Sequence, residues 1–423
     1  MGDVVKLQKP SQKDRKTQGK PPRRRPRRSR TALVLGGGGF TGGVYEIGAL
    51  RALDLLAVNR TVNQFDVYVG TSAGSFVAGL VANGVTPEEM MRVVNQQVPT
   101  PFQDVDRGSL MRPNLLEFAQ SAALLPLRML GLGRNLVSHL RSASVIDLAV
   151  GMAEALPSGM YDGAAIQDYI ESVLSDPDRT NDFRLLQNEL YLTATDLDTC
   201  ERIVLGGPDW DDVPIARAVA ASTALPMVYK PVEIKGRHLI DGGIRSTTNV
   251  DVAVERGARF VIVVNPLVPY VNDFQKVIPT MLGSRVRRVA DMGFPQIGYQ
   301  AFKLLAHQRL HEAVSHWRQK YPGVDILLIE PDPNDELMFE TNILNFTRRV
   351  EIAKHGFESV TLKLAQDYDE LKAVCAKHGI DISATRVRRV IKRFAAKEPE
   401  RTAGWRRILE QTTGALLRQS EEA

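Results

Sequence analysis

The stretch T-A-L-V-L-G-G-G-G-F-T-G-G at residues 31–43 joins a short apolar run to a glycine-rich loop. The run Thr31–Leu35 is typical of a strand in a parallel sheet, because such strands are buried on both faces and need no polar alternation. The segment Val44–Leu56 follows with apolar side chains at helical spacing. A strand, a glycine loop and a helix in this order predict an α/β fold with a mostly parallel central sheet.

A serine motif lies directly after the second apolar run. The run Phe65–Val69 ends at Gly70, and G-T-S-A-G then leads into a small-residue helix predicted from Ser75. A serine on such a strand-to-helix turn is strained and lifts its hydroxyl above the sheet, while Gly70 and Gly74 let strand and helix approach closely. The pattern also occurs in turns without chemistry, so its place between a strand and a helix is what makes Ser72 the candidate nucleophile.

The glycine loop has two plausible uses. Its residues from Gly37 to Gly42 match G-x-G-x-x-G, which holds a pyrophosphate in dinucleotide folds when an acidic residue ends the second strand. Alternatively, its backbone N–H groups form an oxyanion hole that stabilises negative charge on a tetrahedral intermediate. Because the second strand ends at Gly70, directly before Ser72, the sequence favours the oxyanion hole.

A serine nucleophile needs a base, and the best candidate is a carboxylate. Asp241 closes a predicted strand and is followed by Gly242 and Gly243, so it can approach a hydroxyl with little steric hindrance and accept its proton directly. His238 precedes it by three residues on that strand and is therefore expected on the opposite face. The seven histidines lack the loop or strand-end context of a triad base: His139, His238, His307, His311, His316, His355 and His378.

Metal and disulfide chemistry have little support in the sequence. Two cysteines, Cys200 and Cys375, make neither a disulfide framework nor a ligand cluster and fit a reducing compartment. Asp196 and Asp198 stand two residues apart at a strand end, which is more typical of a turn than of a metal site. Neither the cysteines nor this acidic pair therefore indicates a metal site.

The charge is concentrated at the N-terminus. Residues 1–30 hold twelve Lys or Arg and two acidic residues, a charge of +10. Because the whole chain carries +5, the remaining residues carry −5. This Pro- and Arg-rich segment is predicted to be a disordered basic tail. It would be attracted to anionic membranes, or else remain a solvated arm without a dedicated partner; no specific nucleic-acid partner is predicted.

The rest of the chain divides into a predicted catalytic domain at 31–335 and a helical extension at 336–423. Residues 101–160 form an apolar insertion, expected to be either covering helices or a lid that meets lipid. The basic amphipathic helix at 386–397 is expected either to contact an anionic membrane or to be a solvated face packed on the domain. No apolar run reaches 18 residues and no signal peptide is recognisable, so we expect a cytoplasmic protein, with peripheral attachment to the inner membrane face as a further hypothesis.

Taken in order, the motifs between Thr31 and Pro266 resemble the patatin-like phospholipase family. The resemblance rests on G-G-G-G-F-T-G-G at 36–43, G-T-S-A-G-S at 70–75, Y-L-T-A-T-D-L-D-T at 191–199, A-A-S-T-A-L-P-M at 220–227 and D-G-G at 241–243. Each piece is common alone, but the ordered combination is specific. The stretch 270–375 is also similar to the C-terminal part of bacterial members, though less specifically.

This resemblance implies a three-layer α/β fold and a catalytic dyad without metal or cofactor. Ser72 would be the nucleophile, Asp241 the general base, and the amides of Gly37, Gly38 and Gly39 the oxyanion hole. The acyl group would pass to Ser72 as an ester and then to water. Family activities include phospholipase A, lysophospholipase and neutral acyl-ester hydrolysis, so a lipid or acyl ester is the expected substrate.

One departure from the family pattern bears on the substrate. Many members carry Arg or Lys after the glycines, where this chain has Thr41 or Gly42. The absence of that side chain weakens the case for a phosphate headgroup but leaves the backbone donors in place. Two other functions stay open from the sequence: a non-catalytic membrane or regulatory scaffold of the same fold, and a nucleotide-binding oxidoreductase.

Overall fold

The structure is a computed structural model that describes residues 29–95, 111–124, 127, 156–271, 278–279, 285–286, 288–333, 335, 337–338 and 347–397. The strands are β1 Thr31–Leu35, β2 Val67–Thr71, β3 Arg112–Pro113, β4 Gly159–Asp162, β5 Glu189–Asp196, β6 Arg202–Leu205, β7 Met227–Tyr229, β8 Val232–Ile234, β9 Arg237–Asp241, β10 Phe260–Val264, β11 Ile278–Pro279, β12 Arg285–Val286 and β13 Asp325–Ile329. The helices are α1 Gly39–Leu56, α2 Ala73–Ala82, α3 Pro87–Asn95, α4 Ala164–Leu174, α5 Ile215–Ser222, α6 Val250–Glu255, α7 Phe294–Lys320, α8 Arg349–Gln366, α9 Tyr368–Lys377 and α10 Ala384–Lys397.

The central sheet has eight strands and is mostly parallel. Strands β13, β10, β1, β2 and β5 lie side by side in that order and all run the same way. Strands β6 and β9 pair antiparallel with β5, and β8 pairs antiparallel with β9. The α/β class with a mostly parallel sheet, predicted from the order of the motifs, is confirmed.

Helices cover both faces of this sheet, which makes three layers. Along β1 the side chains alternate between the faces: Leu33 and Leu35 belong to the larger core under α1, α2 and α8, whereas Ala32 and Val34 belong to a second core with residues of α6 and α7. All five β1 side chains are fully buried. This two-sided burial is the physical reason that the strand reads as an uninterrupted apolar run.

Helix α1 begins earlier than the sequence predicts. The apolar spacing predicts a helix from Val44, but the structure places Gly39, Gly42 and Gly43 inside α1. Glycine is a poor helix former in isolation, so tertiary packing decides this turn. A Cβ on Gly42 would lie 3.0 Å from Pro266 Cγ, so the first turn fits tightly against the loop that follows β10.

The helices after β13 pack directly on the core. Helix α8 crosses α1 closely: a Cβ on Gly48 would lie 2.3 Å from the Ala353 carbonyl oxygen, and one on Gly356 would lie 2.5 Å from that of Tyr45. In α10, Val387 and Ile391 are buried, so this helix packs its apolar side on the domain. The boundary at 335 and the role of 386–397 at membranes stay predictions. Residues 1–28 of the predicted basic tail and 398–423 of the predicted extension lie outside the described residues.

Only part of the predicted insertion at 101–160 falls within the described residues. Residues 115–124 are helical there, and they expose Leu115, Leu116, Phe118 and Leu124. The choice between covering helices and a lid stays open, because most of the segment lies outside the described residues. None of the described helices combines the length and the apolarity that crossing a bilayer requires.

Candidate active site

Ser72 occupies a strained turn between β2 and α2. Its backbone has φ 56° and ψ −128°, a conformation that a residue with a side chain rarely adopts. The flanking glycines permit it: a Cβ on Gly74 would lie 2.4 Å from the Leu35 carbonyl oxygen, and one on Gly70 would lie 2.6 Å from Ser75 Cα. The turn therefore lifts the Ser72 side chain above the carboxyl end of the sheet, as the G-x-S-x-G spacing predicts.

The register of β5 brings Asp241 to the same point. Strand β6 pairs with residues 192–195 of β5 along one edge of that strand. Residues 192–193 also pair with β2, and residues 194–195 also pair with β9, so β2 and β9 both lie along the opposite edge of β5. Thr71, the last residue of β2, lies opposite Thr193, and Asp241, the last residue of β9, lies opposite Ala194. The two strands run toward each other, so their ends meet.

The two candidate side chains are in direct contact. Ser72 Oγ donates a 2.5 Å hydrogen bond to Asp241 Oδ2. The other carboxylate oxygen, Oδ1, accepts a 2.7 Å hydrogen bond from the backbone N–H of Gly243. The D-G-G turn therefore orients the carboxylate, with one oxygen held by the backbone and the other facing the serine.

The environment of Asp241 suits proton transfer near neutral pH. The side chain is only 3% exposed. Burial raises the pKa of its carboxyl to about 6, and the hydrogen bonds from Ser72 and the Gly243 N–H limit that rise. A carboxylate with this pKa is ionised at pH 7 yet is a better proton acceptor than an exposed aspartate.

A buried polar network supports the serine from beneath. Ser222 Oγ accepts a 3.0 Å hydrogen bond from the backbone N–H of Ser72 and donates one of 2.7 Å to the Thr193 carbonyl. Asn249 Nδ2 donates to the hydroxyl oxygens of Thr71 and Thr193 at 2.9 and 3.1 Å. Sequence reasoning missed both donors as site residues; Ser222 lies within the A-A-S-T-A-L-P-M motif, whereas Asn249 has no local signal.

The glycine loop faces the serine. A Cβ on Gly37 would lie 3.2 Å from Ser72 Cβ, and one on Gly38 would lie 2.9 Å from Pro266 Cγ, so side chains would crowd the loop. Gly39 is the first residue of α1, whose N-terminus carries a partial positive charge. Within the described chain, no hydrogen-bond acceptor takes the N–H groups of Gly37, Gly38 or Gly39. These N–H groups are therefore available to a ligand, and their use as an oxyanion hole stays a prediction.

A cavity of about 160 Å³ opens from the serine, lined mainly by apolar side chains. Phe76 and Tyr169 stack in its wall with ring centroids 5.8 Å apart. Asp241 and Arg349 are the charged residues among the described lining. Other lining residues include Phe40, Val44, Ile47, Val77, Leu80, Met90, Val94, Ile166, Val173, Leu225, Val228, Tyr299 and Phe302.

No histidine within the described chain lines this cavity. His238 is exposed and lies 3.7 Å from Asp198. His355 bonds Asp335, and His378 bonds Asp325. His316 is exposed, and His307 and His311 face each other on α7; His139 lies outside the described residues. Among the described side chains, Asp241 is the titratable group in contact with Ser72.

The acidic pair at the end of β5 is part of a turn. Asp196 Oδ1 accepts hydrogen bonds from the backbone N–H groups of Asp198 and Thr199 at 3.0 and 3.4 Å. Its other carboxylate oxygen bonds Arg237 at 2.9 Å. Both oxygens of Asp196 thus have protein partners, in keeping with the turn that the sequence suggests.

The family model described as patatin-like phospholipase matches residues 33–254, which include the last three residues of β1, the glycine loop, the Ser72 turn and Asp241. This match covers more than half of the chain. The chain belongs to the patatin-like phospholipase family. The resemblance found in the ordered sequence motifs is therefore confirmed.

Three proteins that match this patatin-like chain share low sequence identity with it. YqhO of Bacillus subtilis, an uncharacterized protein, is 26% identical over 225 residues, which are 49% of this chain and 64% of YqhO. The chain thus matches less than two thirds of that relative. Among solved structures, VipD from Legionella pneumophila is 14% identical with a TM-score of 0.32, covering 79% of this chain and 67% of VipD. Human GIVD cytosolic phospholipase A2 is 11% identical with a TM-score of 0.30, covering 82% and 59%.

Proposed function

We propose that this protein is a serine hydrolase that cleaves acyl esters of lipids through a Ser72–Asp241 dyad. The observation that carries the proposal is the 2.5 Å hydrogen bond from Ser72 Oγ to a buried carboxylate, made on a strained turn at the end of an apolar cavity. Membership of the patatin-like phospholipase family supports the same chemistry.

In the first half of the reaction, Ser72 Oγ attacks the ester carbonyl while Asp241 Oδ2 accepts the hydroxyl proton. The carbonyl oxygen becomes negatively charged, and the N–H groups of Gly37, Gly38 and Gly39 would donate hydrogen bonds to it. Loss of one such preorganised donor typically raises a barrier of this kind by about 3–4 kcal/mol. The tetrahedral intermediate then collapses, the proton on Asp241 passes to the leaving alcohol, and the acyl group stays on Ser72.

In the second half, water takes the place of the alcohol. Asp241 accepts a proton from the water as its oxygen attacks the acyl carbonyl, and the same N–H groups stabilise the second intermediate. Collapse returns the proton to Ser72 Oγ and releases the fatty acid. Because Asp241 gains and loses one proton in each half, it ends the cycle ionised and ready for the next ester.

The cavity favours an acyl chain as the bound group. Its apolar wall, with the stacked pair Phe76 and Tyr169, offers few partners for a polar substrate but stabilises buried methylene groups at about 0.8 kcal/mol each. Thr41 and Gly42, one of which stands where many family members carry a basic residue, are both buried. We therefore propose the acyl ester as the recognised unit and leave the headgroup open.

Purified protein is expected to hydrolyse p-nitrophenyl acyl esters and to be labelled covalently by a fluorophosphonate probe, because an activated serine attacks both. Pre-incubation with the ester should slow labelling. A scaffold of the same fold would lack an activated serine, so absence of both hydrolysis and labelling in folded protein would favour that alternative. Stabilisation by a dinucleotide without labelling would instead favour the oxidoreductase hypothesis.

Activity should depend on pH through Asp241. The base must be ionised, and burial raises its pKa to about 6. The rate constant kcat/KM should therefore be level above pH 7 and fall about tenfold per pH unit well below pH 6. A profile measured with a neutral ester between pH 4 and 8 tests this, and a rate unchanged down to pH 4 would contradict it.

A further inference from the structure

A second cluster of polar side chains lies at the carboxyl end of the sheet, where Ser72 also lies, but apart from the Ser72 cavity. Helix α7 places His307 and His311 one turn apart with ring centroids 4.1 Å from each other. Glu330, which directly follows β13, reaches the same point, with its Oε2 3.0 Å from His311 Nε2. One ligand atom from each of the three residues lies within 4.8 Å of the others.

The Glu330 carboxylate is buried and oriented by a hydrogen bond, as the carboxylate ligands of metal sites commonly are. Its side chain is 6% exposed, and Asn265 Nδ2 donates a 2.7 Å hydrogen bond to Oε1. This bond fixes the carboxylate and leaves Oε2 directed at the imidazoles. Ligands in metal sites are commonly oriented by such a partner on the atom that does not bind the metal.

The two imidazoles and the Glu330 carboxylate together form a His₂Glu set, which is a ligand set of zinc sites. Neither ring nitrogen of His307 hydrogen-bonds another described residue, although the ring faces Glu330 and His311. Ligands at 2.0–2.1 Å in a tetrahedral site are roughly 3.3 Å apart, so small ring rotations would bring the three atoms into position. His311 has a side chain 39% exposed, which gives an ion access from solvent.

We propose that His307, His311 and Glu330 bind a divalent transition-metal ion of the zinc class. Two imidazoles and one carboxylate suit such ions, whereas Mg²⁺ prefers oxygen ligands. The ion would join α7 to the end of β13. Sequence reasoning missed this site because Glu330 lies 19 residues beyond His311, on another element.

The proposed metal site is separate from the dyad, but it shares helix α7 with the wall of the Ser72 cavity. In the sheet, β10 and β1 lie between β13 and β2, so Glu330 and Ser72 are on the order of 14 Å apart. Helix α7 nevertheless lines the cavity with Tyr299 and Phe302. The proposed ion would fix the helix that carries these two side chains; the ester chemistry itself needs no metal.

The test is Zn²⁺ binding to full-length, tag-free protein stripped with a chelator. Cys200 is an exposed thiol and is replaced by serine throughout, so that it cannot bind the ion. Isothermal titration calorimetry should give one Zn²⁺ per chain with a micromolar or tighter Kd, and Mg²⁺ should not compete. Co²⁺ at the same site should show the visible absorption of a low-coordinate ion.

Variants distinguish the cluster from other sites. His307→Ala and Glu330→Gln should each weaken Zn²⁺ binding at least tenfold and remove the rise in Tm that Zn²⁺ causes. The matched control is His316→Ala, on the same helix, whose exposed ring bonds the Glu312 carbonyl; it should bind Zn²⁺ like the parent. Since His307 makes no hydrogen bond to described residues, its variant should fold. No stoichiometric Zn²⁺ binding by the parent, or unchanged binding by His307→Ala, would overturn the proposal.

Discussion

Replacing Ser72 by alanine should lower kcat for ester hydrolysis by about ten-thousandfold or more and abolish fluorophosphonate labelling. Loss of the nucleophile removes the covalent route, and only positioning and the backbone donors then contribute to catalysis. Alanine retains the Cβ, so the strained turn at φ 56° and its packing are unchanged. We therefore expect the variant to fold with a Tm within a few degrees of the parent, as circular dichroism during heating would check.

The control for this variant is Ser175→Ala, which removes an exposed hydroxyl that bonds the Glu171 carbonyl. It should keep both turnover and labelling. If Ser72→Ala, purified free of contaminating esterases, still turned over like the parent, Ser72 would not be the nucleophile. Labelling that moved to another serine would point to a different site.

Asp241→Asn should lower kcat about a thousandfold while leaving the fold intact. The Gly243 N–H binds Oδ1, so the asparagine carbonyl oxygen should keep that position and direct its NH₂ group at Ser72 Oγ. That group donates hydrogen bonds and cannot accept the serine proton. Loss of a general base commonly lowers rates 10²- to 10⁴-fold. Steady-state kinetics and the rate of fluorophosphonate labelling should both report the loss.

Two comparisons sharpen this result. Asp212→Asn, at an exposed carboxylate that bonds Lys235, should leave the rate unchanged. The double variant Ser72→Ala with Asp241→Asn should be no slower than Ser72→Ala alone, because the two residues act as a unit. An Asp241→Asn protein as active as the parent would rule out the proposed dyad.

Local features of the site were predictable from sequence wherever one segment determines them. The bounds of β1 were predicted as Thr31–Leu35 and observed there, because a strand buried on both faces carries apolar side chains on both, as the four residues after Thr31 do. The Ser72 turn follows from its two glycines, since a Cβ on either would lie within 2.4–2.6 Å of neighbouring backbone. The start of α1 was predicted wrongly at Val44, since packing against Pro266 makes its glycines helical against their intrinsic preference.

Contacts between distant segments were less accessible to sequence reasoning. Asn249 anchors Thr71 and Thr193 from a position with no local motif. His307 and His311 read as polar helix residues until the fold brings Glu330 beside them. In each case the partner lies on another element, and the spacing of residues along the chain does not predict which elements come into contact.

By itself, the sequence determined the α/β class, the parallel start of the sheet and the chemical candidates, because apolar periodicity and glycine spacing are local consequences of backbone geometry. Tertiary structure alone decided that Ser72 and Asp241, 169 residues apart, share a hydrogen bond. The reason is the register of β5, on one edge of which β2 and β9 end at adjacent positions. Pairing between strands joins segments that are distant in sequence, so neither the Ser72 segment nor the Asp241 segment alone specifies that the two side chains meet. Their meeting could be expected only because the ordered motifs resemble those of the family.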